Sequence, residues 1–195
     1  MRKLTYAIVI ALLALPPRAA SQQQFDVAFG LGTVGTRSEG FDTNLPTLGG
    51  GGFLSFSGDF LFKHSLGVQG EVAWRGKSNV FQGFQPYRPI LYDFNGIWAP
   101  TWNRFGIEAM GGIGALSTRV YQQFFECNFA GCTNYTSSNH FMGHIGGGLK
   151  FYVRGPIFVR PEAHVYFIRN NVEYSQDRAT RYGVSIGYTL RNEIP

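Results

Sequence analysis

The sequence predicts an all-β fold, an antiparallel up-and-down barrel of about eight strands. Three observations lead to this prediction: apolar residues that alternate with small or polar ones, connections that alternate between long and short, and an unusual composition. Of 195 residues, 26 are glycine, 16% are aromatic and only 15% are charged. Such a composition favours closely spaced strands over helices.

The alternation is clearest near the end of the chain, in residues 180–190. Its odd positions are small or polar, and after Thr180 its even positions are apolar: Tyr182, Val184, Ile186, Tyr188 and Leu190. Successive side chains of a strand point to opposite faces, so one face of this strand is apolar and the other is polar.

The same pattern predicts the other strands in order. The first is marked by Phe25, Val27, Phe29 and Leu31, and the second is the least regular, with Leu54 and Phe56 assigned to its outer face. Taken along the chain, the predicted strands cover about 24–34, 50–58, 65–75, 90–98, 105–114, 140–153, 157–167 and 180–190.

The predicted connections alternate in length. Long polar stretches cover 35–49, 76–87, 117–139 and 169–179, the third being the longest, while short turns cover 59–64, 99–103 and 154–156. An even strand count places both ends of the chain on one side. Bacterial membrane barrels combine this arrangement with short turns on the periplasmic side and long loops outside.

The small and polar faces carry charges of both signs. Isolated buried charge costs several kcal/mol, so matched charges among small residues indicate the filled lumen of a narrow barrel. The apolar faces would then meet lipid, with an aromatic girdle near the strand ends formed by Trp74, Tyr92, Trp98, Tyr182 and Tyr188. The predicted lumen charge cluster contains Glu71, Asp93, Glu108, Lys150, Arg160 and Glu162. The opposite arrangement, a soluble lipocalin-type barrel, is the alternative to this interpretation.

The first residues have the layout of a secretory signal peptide: Arg2 and Lys3, an apolar run over 6–15, and small residues at 19–21. Cleavage would leave residues 22–195 as the barrel. Removing 1–21 lowers the formal charge from +5 to +2, so the basic character lies mostly in the leader and gives no support for nucleic-acid binding.

The closing segment resembles the C-terminal insertion signal of bacterial outer-membrane barrels at Arg181, Gly183, Ile186 and Tyr188, although the chain continues to Pro195 where that signal often ends on an aromatic residue. Over residues 22–190 the chain resembles the OmpA-like and OmpX-like family of small outer-membrane β-barrels. The resemblance implies export through the periplasm, insertion by the barrel-assembly machinery, and contact with lipid of the bacterial outer membrane.

Cys127 and Cys132 lie in the longest connection, and in an oxidising periplasm they are expected to form a disulfide. The alternative is a metal site with His140 and His144, but these histidines would lie about 13 Å apart along a strand. His144 is expected to point inward as a hydrogen-bonded plug residue, like His164. We expect no metal, no cofactor and no catalytic residue.

An eight-stranded barrel is only just wide enough for its own side chains, which argues against a diffusion pore. The sequence therefore predicts a non-enzymatic outer-membrane protein that anchors exposed loops for surface interaction or envelope integrity, with a possible extracellular ligand. The alternative is a narrow channel or transporter for ions or small solutes. A third possibility, an enzyme acting on lipid A, would need a serine with a histidine near the lipid. Of the candidates, His64 and Ser65 are adjacent, so their side chains would diverge.

Overall fold

The computed structural model describes residues 23–36, 48–63, 65–81, 85–129, 131–169, 174 and 177–191. The predicted signal peptide, residues 1–21, lies outside them. The described strands are β1 (Gln24–Thr36), β2 (Gly52–Lys63), β3 (Leu66–Arg75), β4 (Asn79–Phe81), β5 (Gln85–Trp98), β6 (Thr101–Trp102), β7 (Phe105–Asn128), β8 (Gly131–Arg154), β9 (Ile157–Ile168) and β10 (Arg178–Arg191).

Eight of these strands form a closed antiparallel ring, in the order β1, β2, β3, β5, β7, β8, β9, β10. The ring closes where β10 pairs with β1 along its whole length, from Gln24 opposite Arg191 to Thr36 opposite Ala179. The two short strands extend hairpins, β4 beside β5 and β6 beside β7. The prediction of an eight-stranded up-and-down barrel is confirmed. Within the described residues, no helix is sufficiently long and apolar to cross a membrane.

The apolar faces point outward. Ile145 and Ile186 expose 55% and 63% of their surface, whereas Glu71, Glu108 and Arg160 are buried inside the ring. On β7 the outward apolar positions run from Phe105 to Ala115. At about 3.4 Å per residue and a tilt near 40°, that stretch spans about 25 Å, the height of the lipid-facing band of an outer-membrane barrel.

The predicted girdle residues lie on this outer surface. Trp98 and Tyr188 lie near the end of the barrel that carries the short turns and both ends of the described chain, here called the short-turn end. Trp74, Tyr92 and Tyr182 lie toward the opposite, loop end. All five are partly or largely exposed, as side chains that meet the membrane interface should be.

The prediction that the second strand ends at Gly58 is wrong, because β2 continues to Lys63. Asp59 was assigned to a turn, a position that aspartate often occupies. Instead it points into the lumen, where Gln69 Nε2 donates a hydrogen bond to its carboxylate over 2.9 Å. On the same strand Phe56 faces outward and Phe53 is buried, which agrees with the predicted phase.

The prediction that residues 117–139 form a loop is also wrong. Strands β7 and β8 continue through this stretch as a two-stranded ribbon. Past Val120, the last residue of β7 that pairs with β5, the ribbon projects beyond the barrel wall. We call residues 121–129 and 131–135 the arm. The polar sequence did not prevent strand formation, because the hydrogen bonds between the two strands use only backbone groups. The cross-strand pair of Tyr121 and Tyr135, with ring centroids 6.1 Å apart, also stabilises the ribbon.

The loop predicted at 76–87 is likewise shorter than expected, since Asn79–Phe81 pairs with the start of β5 at Gln85.

A charge on the outer face should destabilise the barrel according to its depth. Ile145→Arg, near the middle of the apolar band, is expected to lower the free energy of unfolding by about 2–4 kcal/mol, and the matched change Val153→Arg at the short-turn rim by about 0–1 kcal/mol. Denaturant titration in lipid vesicles measures both. Equal losses at the two depths would contradict the membrane orientation.

Candidate functional site

The lumen of the barrel is built around the guanidinium group of Arg160. On one side its Nη1 donates to Glu108 Oε2 over 2.9 Å and to Asp59 Oδ2 over 3.1 Å, and its Nε donates to Glu162 Oε2 over 2.9 Å. Its Nη2 donates to Ser57 Oγ over 2.8 Å. Arg160 therefore connects β9 with β7 and β2 across the interior.

Lys150 extends this network toward the short-turn end. Its Nζ donates to Asp26 Oδ2 over 2.7 Å and forms a second ion pair with Glu108. Both partners are buried, so the ammonium group is paired with two carboxylates in place of water.

Arg181 extends the network toward the loop end. Its Nη2 contacts Glu71 and lies 3.2 Å from Glu162 Oε1. Because Glu162 also contacts Arg160, the two guanidinium groups share one carboxylate.

A chain of hydrogen bonds between amide, carboxyl and imidazole groups crosses the same layer. Asn95 Nδ2 donates to Gln69 Oε1 over 3.2 Å and to Asp93 Oδ1 over 2.5 Å, so its oxygen accepts from His144 Nδ1 over 2.7 Å. His144 Nε2 lies 2.9 Å from His164 Nδ1, and their rings are stacked. Both nitrogens of His144 are therefore used in hydrogen bonds, as a plug residue requires.

The six charged residues assigned to the lumen by sequence all lie in this layer. Glu71, Glu108, Lys150, Arg160 and Glu162 are linked through ion pairs, and Asp93 joins through Asn95. Three further members lie outside the cluster predicted from sequence: Asp26, Asp59 and Arg181, of which Arg181 was expected on a polar face. Asp26 and Arg181 lie in the polar phase of their strands, a signal that could have identified them.

Two groups of buried side chains have the geometry to hold a metal ion. The first group contains Glu71, Glu162 and His164, and the second contains Asp26, Asp59 and Glu108. Within each group the ligand atoms lie within 4.8 Å of one another. Arg181 lies against the first group, and Lys150 and Arg160 lie against the second. Cationic side chains thus already supply the positive charge that a metal ion would bring.

Apolar layers lie on both sides of the charged layer. Toward the short-turn end, Tyr152 packs against Phe158, and Leu61 clusters with Ile97. Toward the loop end a larger cluster fills the interior: Val34, Leu48, Phe53, Ala73, Tyr87, Leu91, Leu116, Met142, Tyr166, Ile168, Tyr174 and Ala179. Arg75 holds the loop residues in place, since its Nη2 donates to the carbonyl oxygens of Leu48 and Gly49 over 2.8 and 3.1 Å.

The arm is the largest projection in the described part of the chain. Cys127 and Cys132 form a disulfide near its tip, so neither thiol is available as a metal ligand with His140 or His144. Between the pairs Tyr121–Tyr135 and Glu126–Thr133, residues 122–125 of β7 oppose one residue of β8. This bulge presents two phenylalanines to solvent.

Three phenylalanines are exposed at the tip. Phe124 and Phe125 expose 79% and 71% of their surface, and Phe129 is fully exposed. At the base of the arm Arg119 lies over the ring of Tyr135, and Arg88 lies over the ring of Tyr121. Also at the base, Ser138 Oγ lies 3.1 Å from His140 Nε2, a pair that the sequence analysis did not identify.

The residues of the predicted insertion signal have distinct positions on β10. Arg181 points into the lumen, Ile186 and Tyr188 face outward, and Gly183 lies opposite Gly32 of β1. A Cβ at Gly183 would approach the carbonyl oxygen of Leu31 to 3.0 Å, so a small residue suits the closure of the barrel.

No protein-family model and no curated protein matches this sequence. Its structure is similar to those of outer-membrane barrels. Neisserial surface protein A has 9% sequence identity and a TM-score of 0.58, covering 88% of this chain and 99% of that one. A major outer membrane protein from Thermus thermophilus has 10% identity and a TM-score of 0.56, covering 86% and 99%. Ail of Yersinia pestis, in complex with the heparin analogue sucrose octasulfate, has 12% identity and a TM-score of 0.51, covering 88% and 100%.

These similarities extend over the whole barrel, and they show its fold. The chain has the fold of the small bacterial outer-membrane β-barrels, as its resemblance to OmpA-like and OmpX-like proteins predicted. Combined with an apolar outer band and a charged interior, this fold is that of a β-barrel that spans a membrane, as the outer-membrane barrels do.

Removing the guanidinium group of Arg160 should destabilise the barrel. Arg160→Met leaves Asp59, Glu108 and Glu162 short of a partner and is expected to lower the free energy of unfolding by about 3–5 kcal/mol. Arg178→Met is the matched control, because Arg178 is exposed and lies over Phe167; its loss should stay below about 1 kcal/mol. Denaturant titration in vesicles measures both, and similar losses would contradict a central role for Arg160.

Proposed function

We propose that this protein is a non-enzymatic anchor in the outer membrane that holds the arm outside the cell for contact with another surface or ligand. The observation that carries this proposal is the exposure of three phenylalanines, Phe124, Phe125 and Phe129, near the tip of the arm. Apolar groups exposed together commonly mark an interaction site, since leaving them in water is unfavourable.

The construction of the arm supports a binding role. A two-stranded ribbon is marginally stable alone, and here it grows directly from two barrel strands and is bridged by a disulfide. Rigid aromatic anchors surrounded by hydroxyl and amide side chains are typical of binding surfaces. Gln122 illustrates the polar part of the arm, with its Nε2 donating to Oγ1 of Thr136, the residue that follows the arm, over 2.8 Å.

The charge of the arm indicates the kind of ligand. Its sequence contains one charged residue, Glu126, and the arginines at its base lie over tyrosine rings. Ail was solved with a highly sulfated sugar. In this chain the arm offers little positive charge for such an anion, so we expect a neutral or apolar ligand.

The interior supports an anchor more than a channel. A connected ion network fills the middle of the lumen, and apolar clusters lie at both sides of it. As part of the same proposal, the chain crosses the periplasm and is inserted by the barrel-assembly machinery. Depleting that machinery should then reduce the amount of folded protein in the outer membrane.

Replacing the three exposed phenylalanines should remove contact without unfolding the barrel. In cells expressing the triple variant Phe124→Ser, Phe125→Ser and Phe129→Ser, attachment to cultured epithelial cells and to polystyrene should fall about tenfold, a loss of about 1.4 kcal/mol in binding. The control is Thr133→Ala with Ser137→Ala, which changes exposed polar residues of the same ribbon and should leave attachment unchanged.

Folding of each variant is checked by the different gel mobility of unboiled and boiled membrane fractions. Unchanged attachment by a folded triple variant would contradict the arm as the contact surface. If deletion of the whole gene then made cells sensitive to detergent, envelope integrity would be the better assignment.

Two other functions are separated by direct assays. A narrow channel would give discrete conductance steps in planar bilayers, and we expect none, because the charged lumen is filled.

An enzyme acting on lipid A is favoured by one observation, the 3.1 Å contact between Ser138 and His140. We expect the mass of lipid A to be the same with and without the protein. A mass change that Ser138→Ala abolished would instead establish an enzyme.

A further inference from the structure

A cavity of about 560 Å³ lies at the short-turn end of the barrel, the periplasmic end in a bacterial outer membrane. It lies between the turn at Asn103–Arg104 and the turn at Gly155–Pro156, and Tyr152 and Thr189 also line it. It is far from the arm, which projects from the loop end.

Both turns are fixed in place by backbone conformation and hydrogen bonds. Asn103 and Gly155 have φ values of 53° and 55°, in the left-handed region that tight turns use and that asparagine and glycine tolerate best. The Tyr152 N–H donates to the carbonyl oxygen of Arg104 over 2.9 Å, and the Thr189 N–H donates to that of Pro156 over 2.9 Å. The cavity is therefore bordered by ordered backbone.

The wall of the cavity is positively charged. Arg104 and Arg154 line it from the two turns, both are exposed, and no carboxylate of the described residues forms an ion pair with either. The nearby acid in the lumen, Asp26, is buried and paired with Lys150. Two arginines that line one cavity favour an anion, because guanidinium groups bind phosphate oxygens particularly well.

The inner part of the cavity is polar but uncharged. The hydroxyl groups of Tyr152 and Thr189 lie 3.2 Å apart in a hydrogen bond, and Gln24 Nε2 donates to the Tyr152 hydroxyl over 3.4 Å. Since one hydroxyl donates to the other, the pair has one hydroxyl proton left for a phosphate or glycerol oxygen, and neither group brings a negative charge that would repel the phosphate.

The cavity also reaches the lipid-facing surface. Val153, which lines it, exposes 64% of its surface on the outer face of β8. Phe105 and Phe151 form an edge-to-face pair on the same outer face, and Trp102 is exposed beside the turn. Aromatic residues of this kind lie at the level of lipid headgroups.

We propose that this cavity binds the phosphate headgroup of an anionic phospholipid from the periplasmic leaflet. The two arginines hold the phosphate, the hydroxyl groups contact the headgroup, and an acyl chain runs past Val153 into the membrane. Among the described residues, no carboxylate that could pair with an ammonium group lines the cavity, so an anionic headgroup is preferred to a zwitterionic one. This site does not depend on what the arm binds.

Quenching of tryptophan fluorescence by brominated lipids tests the proposal. The protein, with Trp74→Phe and Trp98→Phe so that Trp102 is the reporter, is reconstituted in phosphatidylcholine vesicles containing brominated phosphatidylglycerol or brominated phosphatidylcholine. We expect brominated phosphatidylglycerol to bind beside Trp102 about fivefold more strongly, equivalent to about 1 kcal/mol.

Arg104→Gln with Arg154→Gln should abolish this preference. Lys77→Gln is the matched control, because it removes one exposed positive charge from a connection at the loop end, and it should leave the preference intact. A heat-dependent gel shift confirms that every variant is folded. A preference that persists in the double arginine variant, or that is absent from the parent protein, would overturn the proposal.

Inorganic phosphate distinguishes the lipid from a free anion. It is titrated into vesicles of phosphatidylcholine alone while Trp102 fluorescence is recorded. If phosphate produces a saturable change that requires the two arginines, and the parent shows no preference for phosphatidylglycerol, the ligand is a free anion and the lipid assignment is wrong. With a lipid site we expect the phosphatidylglycerol preference and no saturable change with inorganic phosphate.

Discussion

The contact of Arg160 with three carboxylates is the interaction on which the rest of the structure depends. The outer face of the barrel meets hydrocarbon, so burying that face inside the protein would bring no hydrophobic stabilisation. The charged layer of the interior is therefore held together by ion pairs and hydrogen bonds. Arg160 connects Asp59 of β2, Glu108 of β7 and Glu162 of its own strand. Because each of these charges is buried, losing one partner leaves the others uncompensated. The ion pairs therefore fix the strands that carry these residues relative to one another.

This constraint explains the distribution of residue types along every strand. Within the charged layer, inward positions carry either a charged or polar side chain that has a partner or a residue small enough to leave room for it. Gly148 is an example, since a Cβ there would lie 3.1 Å from Cγ of Arg160. Outward positions have no such requirement and can hold any apolar side chain. The apolar clusters above and below the charged layer then limit the access of water to the network.

The same reasoning explains why two chains can share this fold although only about one residue in ten is identical. Neisserial surface protein A and this chain superimpose over most of their lengths at 9% identity. A barrel needs an alternating pattern, closure of the first strand on the last and a compensated interior, and many sequences satisfy these conditions. Function therefore has to be argued from the two ends of the barrel, where the arm and the arginine cavity lie, and not from the fold.

The sequence by itself determined the phase of the strands, because alternation with a period of two leaves one choice of inner face once the charges are required to be buried. It placed Glu108, Lys150, Arg160 and Glu162 on one face of neighbouring strands, and it placed two cysteines close enough in the chain to pair. Only the tertiary structure decided that Asp59 lies in a strand, since its partners Gln69 and Arg160 are distant in sequence. It also decided that residues 117–139 form a ribbon and that Arg104 and Arg154 face one cavity. The pairing of backbone strands and the approach of two turns depend on how the ring closes. A local pattern of residues cannot predict them.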